Sequence, residues 1–315
     1  MSRSRARKGK IIVRLRTILK VTRAPFFASL VSSGLVGAAL AWHDGSFHWG
    51  YLLLTLIGIV CINAGLNMSN DYFDHLSGND EANQELTPFS GGSRTIQEGV
   101  LAAKQVLIWS LLFTLIGITI GLYLVIARGW FVLWLGTAGV LIALFTSAPP
   151  IRLNYLGHGL GELATFIGSG PLIVVGSYYV QTQQATWTAL WTSIPVGLLG
   201  AALIWINEFP DYEADKATEK NTLVALLGRQ RAVWGYVALL VVVYLVIVAG
   251  VELGFLPYAL LLVLLTMPLA YKAIRGVTRF HSSTLELIPT QATTIQLYLA
   301  TALLLCVGYA VAKFL

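Results

Sequence analysis

The chain is poor in charge: only 11% of its 315 residues are Asp, Glu, Lys or Arg. A water-soluble domain carries roughly 25%, so an ordinary cytosolic enzyme is excluded. Disorder is excluded as well. Hydrophobic residues make up 56% and mean hydropathy is +0.72, far too much apolar surface to stay solvated. Cysteine is nearly absent. Cys61 and Cys306 lie inside apolar stretches, which removes a disulfide framework and a thiolate metal centre. The five histidines show no ligand spacing. The net charge of +6 implies no nucleic-acid partner, because the positions of the charges matter more than their sum.

What is present is long apolar sequence. Nine runs lie near 26–43, 48–68, 104–127, 130–148, 160–182, 188–206, 232–252, 255–271 and 291–312. Lipid leaves no partner for a free backbone group, so each run must be a helix. The expected fold is an all-α polytopic membrane protein with nine transmembrane helices. The basic residues set its orientation. Nine Lys and Arg precede or include Arg23. Arg94, Lys104, Arg152, Lys216, Lys220, Arg229, Arg231, Lys272, Arg275 and Arg279 follow even-numbered runs. Thus 19 of 21 lie on one side, and only Arg128 and Lys313 on the other. The positive-inside rule puts the N-terminus and the even-numbered loops in the cytoplasm, with a prokaryotic plasma membrane the expected location. Residues 1–24 read as a basic cytoplasmic tail and 25–315 as one transmembrane domain. A secretory signal cleaved near Ala39-Leu40-Ala41 is disfavoured, because the basic region is long and eight more runs follow.

The acids carry the chemistry. Eleven of fifteen Asp and Glu fall in two clusters, one after the second run and one after the sixth. The first begins Asn63-x-x-x-Asn67-x-x-Asn70-Asp71-x-x-Asp74 and continues to Asp80. At 100° per residue its three amides and two carboxylates share one helix face. Amides inside an apolar span are costly unless they face a cavity or a partner. The second cluster reads Asn207-Glu208-Phe209-Pro210-Asp211-Tyr212-Glu213-Ala214-Asp215-Lys216. Asn207, Glu208, Asp211 and Asp215 share a face if the helix continues, and Pro210 puts that continuity in question. Two converging carboxylate faces need a cation between them. Oxygen-only ligands favour Mg²⁺ over zinc, and Mg²⁺ commonly binds carboxylates together with phosphate oxygens. Arg94, Lys216 and Lys220 lie near enough in sequence to supply positive charge for a diphosphate.

At these residues the sequence resembles the UbiA superfamily of intramembrane prenyltransferases. The first motif matches Asn67 and Asn70-Asp71-Tyr72-Phe73-Asp74; the second matches Asp211-x-x-x-Asp215 with Lys216 and Asn221-Thr222-Leu223 after it. Asp80 comes six residues after Asp74 with Gly78 between, and the stretch from Pro88 to Gly99 follows. These features, with Pro149-Pro150, Tyr155-Leu156-Gly157 and Gly159 to Glu162, look like the branch acting on 1,4-dihydroxy-2-naphthoate in menaquinone synthesis.

The resemblance implies nine helices around a central cavity open to lipid. It implies transfer of a polyprenyl group from an allylic polyprenyl diphosphate to an aromatic acceptor, in contact with membrane lipid. It implies Mg²⁺ held by Asp71, Asp74, Asp80, Asp211 and Asp215, with Asp71, Asp74, Asp211 and Asp215 as the catalytic set. Asn67, Asn70, Arg94, Lys216, Lys220 and Tyr155 would bind substrate. Tyr72, Phe73 and Tyr212 would face an allylic cation or simply pack in the interfacial aromatic belt, and His75 and His158 would move a proton or sit in solvated loops. Glu162 is expected either to face the cavity or to make a structural hydrogen bond. The family often carries Tyr before the Thr or Ser of the loop after the fourth run; here Phe145-Thr146-Ser147 stands instead, so the general base is open.

Other acceptors remain as alternatives: 4-hydroxybenzoate, homogentisate or a glycerol phosphate lipid. A CDP-alcohol phosphotransferase needs an Asp-Gly-x-x-Ala-Arg string that the chain lacks. An ion-coupled transporter would place its acids at mid-membrane in broken helices rather than at helix ends on one side.

Overall fold

The computed structural model describes residues 16–315, and helix is the only regular secondary structure among them. Nine apolar helices follow the chain: α1 Phe27–His43, α2 Trp49–Ser77, α3 Ala103–Arg128, α4 Phe131–Phe145, α5 Leu160–Thr182, α6 Trp187–Ala217, α7 Arg229–Glu252, α8 Tyr258–Phe280 and α9 Thr284–Ala312. Each coincides with one expected run. Seven are long and apolar enough to cross a membrane, whereas α1 and α4 have only 17 and 15 residues. At about 1.5 Å rise per residue a 15-residue helix spans roughly 22 Å, short of the ~30 Å hydrocarbon core.

Two helices outrun their expected ends. α2 continues to Ser77 rather than 68, and α6 to Ala217 rather than 206. In both, the added turns are the acidic motif itself, whose helical face turns inward instead of leaving as a loop. Gly78, with φ of 76°, ends α2 in a left-handed turn that favours glycine. Thr186 starts α6 by accepting from the Ala189 N–H at 3.2 Å. The break at Pro210 does not occur: α6 passes unbroken through Pro195 and Pro210. Proline removes one ladder donor, but Phe209 and Pro210 are buried among neighbouring helices. The Arg229 guanidinium also donates to the Phe209 carbonyl at 3.0 Å.

The packing is lopsided. One continuous core joins α1, α5, α6, α7, α8 and α9, with Tyr178, Tyr236, Tyr298, Tyr309, Phe209 and Ile247 fully buried. The buried hydroxyls are paired across helices: Tyr236 with Thr294 at 2.6 Å, Tyr298 with Ser33 at 2.7 Å, Tyr244 with Thr266 at 2.8 Å. Such contacts contribute on the order of 0.6 kcal/mol each in a membrane protein. Small residues allow close approach where α5 crosses α6. A Cβ on Gly170 would stand 2.5 Å from the Ser193 carbonyl oxygen. Gly170 lies in a π-helical turn, Gly168–Leu172, that accommodates Pro171 inside α5. By contrast α3 turns Leu111, Leu112, Leu115, Ile116 and Ile126 outward, as a lipid-facing helix does. Between these two halves, α1 to α6 enclose a cavity.

At the end of α5 away from the acidic motifs, Arg128 donates to the carbonyls of Val180 and Gln181 at 2.6 and 2.9 Å. It thereby satisfies carbonyls left free at the end of a helix.

Candidate active site

The cavity measures about 450 Å³. Its body is apolar, lined by Ile59 and Ile62 of α2, Leu124 of α3, Leu135 of α4 and Leu172 of α5. Its head is polar, where the extended ends of α2 and α6 converge on the one-turn helix Asn79–Ala82 and the loop after α6. Asn67, Asn70, Asp74, Asp80, Asp211, Asp215 and Lys220 all line it.

The α2 face forms a chain of side-chain bonds. Asn67 donates to Asn63 at 3.1 Å and to the Thr22 carbonyl at 2.9 Å. Asn70 donates to Asp74 at 3.0 Å and to Ser147 at 2.8 Å. Asp74 also accepts from the Tyr155 hydroxyl at 2.9 Å and from Lys220 Nζ at 2.8 Å. On α6, Asp211 accepts from Asn83 at 2.7 Å. Asp215 accepts from Asn79 at 3.0 Å and Thr222 at 3.2 Å, with Lys220 Nζ 3.8 Å away. Lys220 therefore joins the two motifs. Burial alone would depress its basicity, but Asp74 and then Asp215 outweigh that and hold it well above the usual lysine range.

Arg23 is the residue that sequence reading missed. In the sequence it reads only as the last cation of the basic tail. The guanidinium pairs with Asp71 and donates to Asn70 at 3.0 Å. Val21 and Thr22 beside it are buried, so the end of the expected tail packs against the fold; residues 1–15 lie outside the described ones. Asn79 and Asn83, which hold Asp215 and Asp211, also went unread. Their signal was faint: two amides in a stretch that read as loop.

Several expected site residues lie elsewhere. Lys216 is exposed and turns back on its own helix to Tyr212, with Nζ 3.2 Å from the hydroxyl and 5.1 Å from the ring centre. Four residues apart on one helix, that pair is a local contact. Arg94 donates to the Asp80 backbone carbonyl and does not line the cavity. Gln97, not Arg94, reaches the Asp80 carboxylate, at 3.3 Å. Tyr72 and Phe73 pack edge-on against each other at 5.1 Å, away from the cavity. Tyr212 is held between Lys216 and Arg229. The aromatic rings that line the cavity are Phe26, Phe89 and Tyr298. His75 pairs with Glu81 at 2.5 Å, and His158 is exposed beside the Leu156 carbonyl. Glu162 is buried but does not line the cavity; it accepts from the Leu223 N–H at 2.7 Å, capping the short helix Leu223–Leu227.

The polar head is short of positive charge. Among the described residues, Asp71, Asp74 and Asp215 pair with two cations, Arg23 and Lys220, whereas Asp80 and Asp211 form no ion pair; Asp71 sits behind the cavity rather than lining it. Burial, then the charges of Asp74 and Asp71, push the Asp80 carboxyl up to about 8. One oxygen of Asp71, Oδ2, is buried with no hydrogen-bond partner. Among the described residues no three acids or histidines converge as a closed metal cage. The donor set still fits a hard divalent cation: all oxygen, anionic, and unsatisfied at Asp71.

The model of the UbiA prenyltransferase family matches residues 30–288. Similar curated proteins include a 2-carboxy-1,4-naphthoquinone phytyltransferase of Synechocystis sp., 29% identical and covering 92% of both chains. A 1,4-dihydroxy-2-naphthoate octaprenyltransferase of Bacillus subtilis is 26% identical, covering 89% of this chain and 88% of that one. Among solved structures, a UbiA homolog from Aeropyrum pernix K1 has a TM-score of 0.66 at 18% identity, covering 91% of this chain and 98% of that one. A UbiA homolog from Archaeoglobus fulgidus bound to GPP and Mg²⁺ has a TM-score of 0.61 at 12% identity, covering 92% and 99%.

Proposed function

Because the chain belongs to the UbiA prenyltransferase family, we propose that it transfers a polyprenyl group from an allylic polyprenyl diphosphate to 1,4-dihydroxy-2-naphthoate. Diphosphate and carbon dioxide are released. The acceptor follows the names of the naphthoate-acting relatives, which match nearly the full chain. The observation that carries the reading is the cavity's division. A carboxylate-rich head with two cations suits a diphosphate, and an apolar body suits an isoprenoid chain.

Asp71, Asp74, Asp80, Asp211 and Asp215 are the residues that would hold Mg²⁺. When bound, the ion would neutralise diphosphate and make it a better leaving group. Lys220 and Arg23 supply fixed positive charge at the same end, where hydrogen bonds to phosphate are charge-assisted. Asn67 and Asn70 orient their neighbours: Asn67 braces Asn63 and the Thr22 carbonyl, and Asn70 braces Asp74. Tyr155 is a donor rather than a base, since burial and then the Asp74 charge push its phenol up to about 12. Phe26 and Phe89 line the cavity and offer ring faces to an allylic cation, each contributing ~0.5–2 kcal/mol.

The membrane-embedded, multi-pass character is that of the family. The polar head opens to the cytoplasm of a prokaryotic plasma membrane in this reading, supported by 19 of 21 basic residues on that side. The test is direct. Purified enzyme receives geranylgeranyl diphosphate, Mg²⁺ and either the naphthoate or 4-hydroxybenzoate. A prenylated naphthoquinol with release of CO₂ is expected; efficient use of 4-hydroxybenzoate instead would overturn the acceptor and leave the family assignment standing.

A further inference from the structure

The reaction needs a group that takes and returns the acceptor's hydroxyl proton, and the residues considered so far do not supply it. Asp74 and Asp80 are engaged by Tyr155, Lys220 and Gln97, and Asp211 and Asp215 by Asn83, Asn79, Thr222 and Lys220. His75 and His158 lie outside the cavity. Glu208 stands apart from these. It lines the cavity and is only 5% exposed. Its Oε2 is buried without a hydrogen-bond partner, and among the described residues no cation lies within ion-pair distance of it. Its neighbours are Glu162, which shares a side-chain hydrogen bond with it and also accepts from the Leu223 N–H, the Val224 backbone N–H, and the charge of Asp215; only Oε2 is left without a partner. A buried carboxyl oxygen with no donor is costly unless a ligand supplies one. Glu208 is three residues from Asp211 on α6, about 4.5 Å along the helix axis toward the apolar body.

Asn207, beside it, also lines the cavity. Its Oδ1 accepts from Gln291 at 2.9 Å, and its Nδ2 has no partner among the described residues. A free acceptor and a free donor thus stand on consecutive residues at the junction of head and body. An aromatic ring bearing adjacent hydroxyl and carboxylate groups presents the complementary pair.

We propose that Glu208 is the proton-exchanging residue for the aromatic acceptor, with Asn207 holding the acceptor carboxylate. The inference rests on the prenyl-transfer reading above. The Glu208 carboxylate takes the ring hydroxyl proton, and the oxygen's electron pair moves into the ring. The ring carbon bearing the carboxylate bonds to the allylic carbon, and the allylic C–O bond breaks with its pair leaving on diphosphate. The ring is now a ketone with a carboxylate on the adjacent carbon. The C–carboxylate bond breaks to release CO₂, its pair restores the aromatic oxyanion, and Glu208 returns the proton. No oxidant or reductant is consumed.

The experiment compares wild type, Glu208→Gln and Glu162→Gln with geranylgeranyl diphosphate, Mg²⁺ and 1,4-dihydroxy-2-naphthoate. For Glu208→Gln, kcat should fall at least about a hundredfold, the scale of a lost general base. Its KM for diphosphate should be unchanged, and the acidic limb of the kcat–pH profile should disappear. The thermal shift produced by geranylgeranyl diphosphate with Mg²⁺ should persist, which shows a folded head. Glu162→Gln, which weakens the helix cap and removes a neighbouring charge from Glu208, should melt at lower temperature and still show an acidic limb in its pH profile, because Glu208 is present. A Glu208→Gln enzyme within threefold of wild type overturns the inference. So does one that loses the diphosphate thermal shift together with kcat, since the role is then structural. A wild-type enzyme that prenylates no naphthoate overturns the functional reading first, and this inference with it.

Discussion

Lys220 Nζ lies 2.8 Å from Asp74 Oδ2 and 3.8 Å from Asp215 Oδ1, so one ammonium bridges acids that are 141 residues apart in the chain. The bridge ties the end of α2 to the end of α6 and leaves a cation at the head of the cavity. Lys220→Met keeps much of the stem and removes the charge. Turnover with limiting diphosphate should fall about 10- to 100-fold, the equivalent of a charge-assisted contact of ~1.5–3 kcal/mol. Steady-state kinetics against diphosphate concentration check it; an unchanged kcat/KM for diphosphate would remove Lys220 from substrate binding.

Arg23 should behave similarly. Its pairing with Asp71 and Asn70 places it on the head although it lies in the basic N-terminal region. Arg23→Ala should weaken diphosphate use by about the same 10- to 100-fold. A mere topology anchor would instead change insertion, so membrane levels and orientation are measured alongside and should stay normal.

Asp71→Ala, Asp74→Ala and Asp211→Ala should each nearly abolish prenyl transfer while reaching the membrane at wild-type levels. Chelation with EDTA should do the same to wild type, and added Mg²⁺ should restore it. Full activity in any metal-stripped member of this set would sink the metal assignment.

Tyr155→Phe removes one donor from Asp74 and keeps the ring that packs under Arg152, 4.0 Å from the guanidinium. A phenol held protonated up to about 12 is a donor at working pH. Activity should drop by about tenfold, within the range for one hydrogen bond to a charged group. The pH–rate profile should keep its wild-type shape; a lost limb would make Tyr155 a base.

Sidedness is tested by labelling. A cysteine at Glu219 should react from the cytoplasm only, and one at Gln184 from outside only; both positions are exposed. Reversed labelling would put the diphosphate head in the wrong compartment.

The sequence by itself determined the nine helices and both acidic faces. Lipid permits no other backbone solution for long apolar runs, and the 3.6-residue period puts Asn67, Asn70, Asp71 and Asp74 on one side whatever they meet. What those faces meet is a tertiary matter. Arg94 and Lys216 are close to the motifs in sequence yet turn to a backbone carbonyl and to Tyr212. Arg23 is 48 residues from Asp71 and reaches it only because the segment before α1 folds over the end of α2. Sequence proximity fixes where a backbone is, not where a long, freely rotating side chain finds its charge partner. The continuity of α6 through Pro210, the amide braces from Asn79 and Asn83, and the unpartnered oxygen of Glu208 were decided by packing between helices, where burial leaves few alternatives for each polar atom.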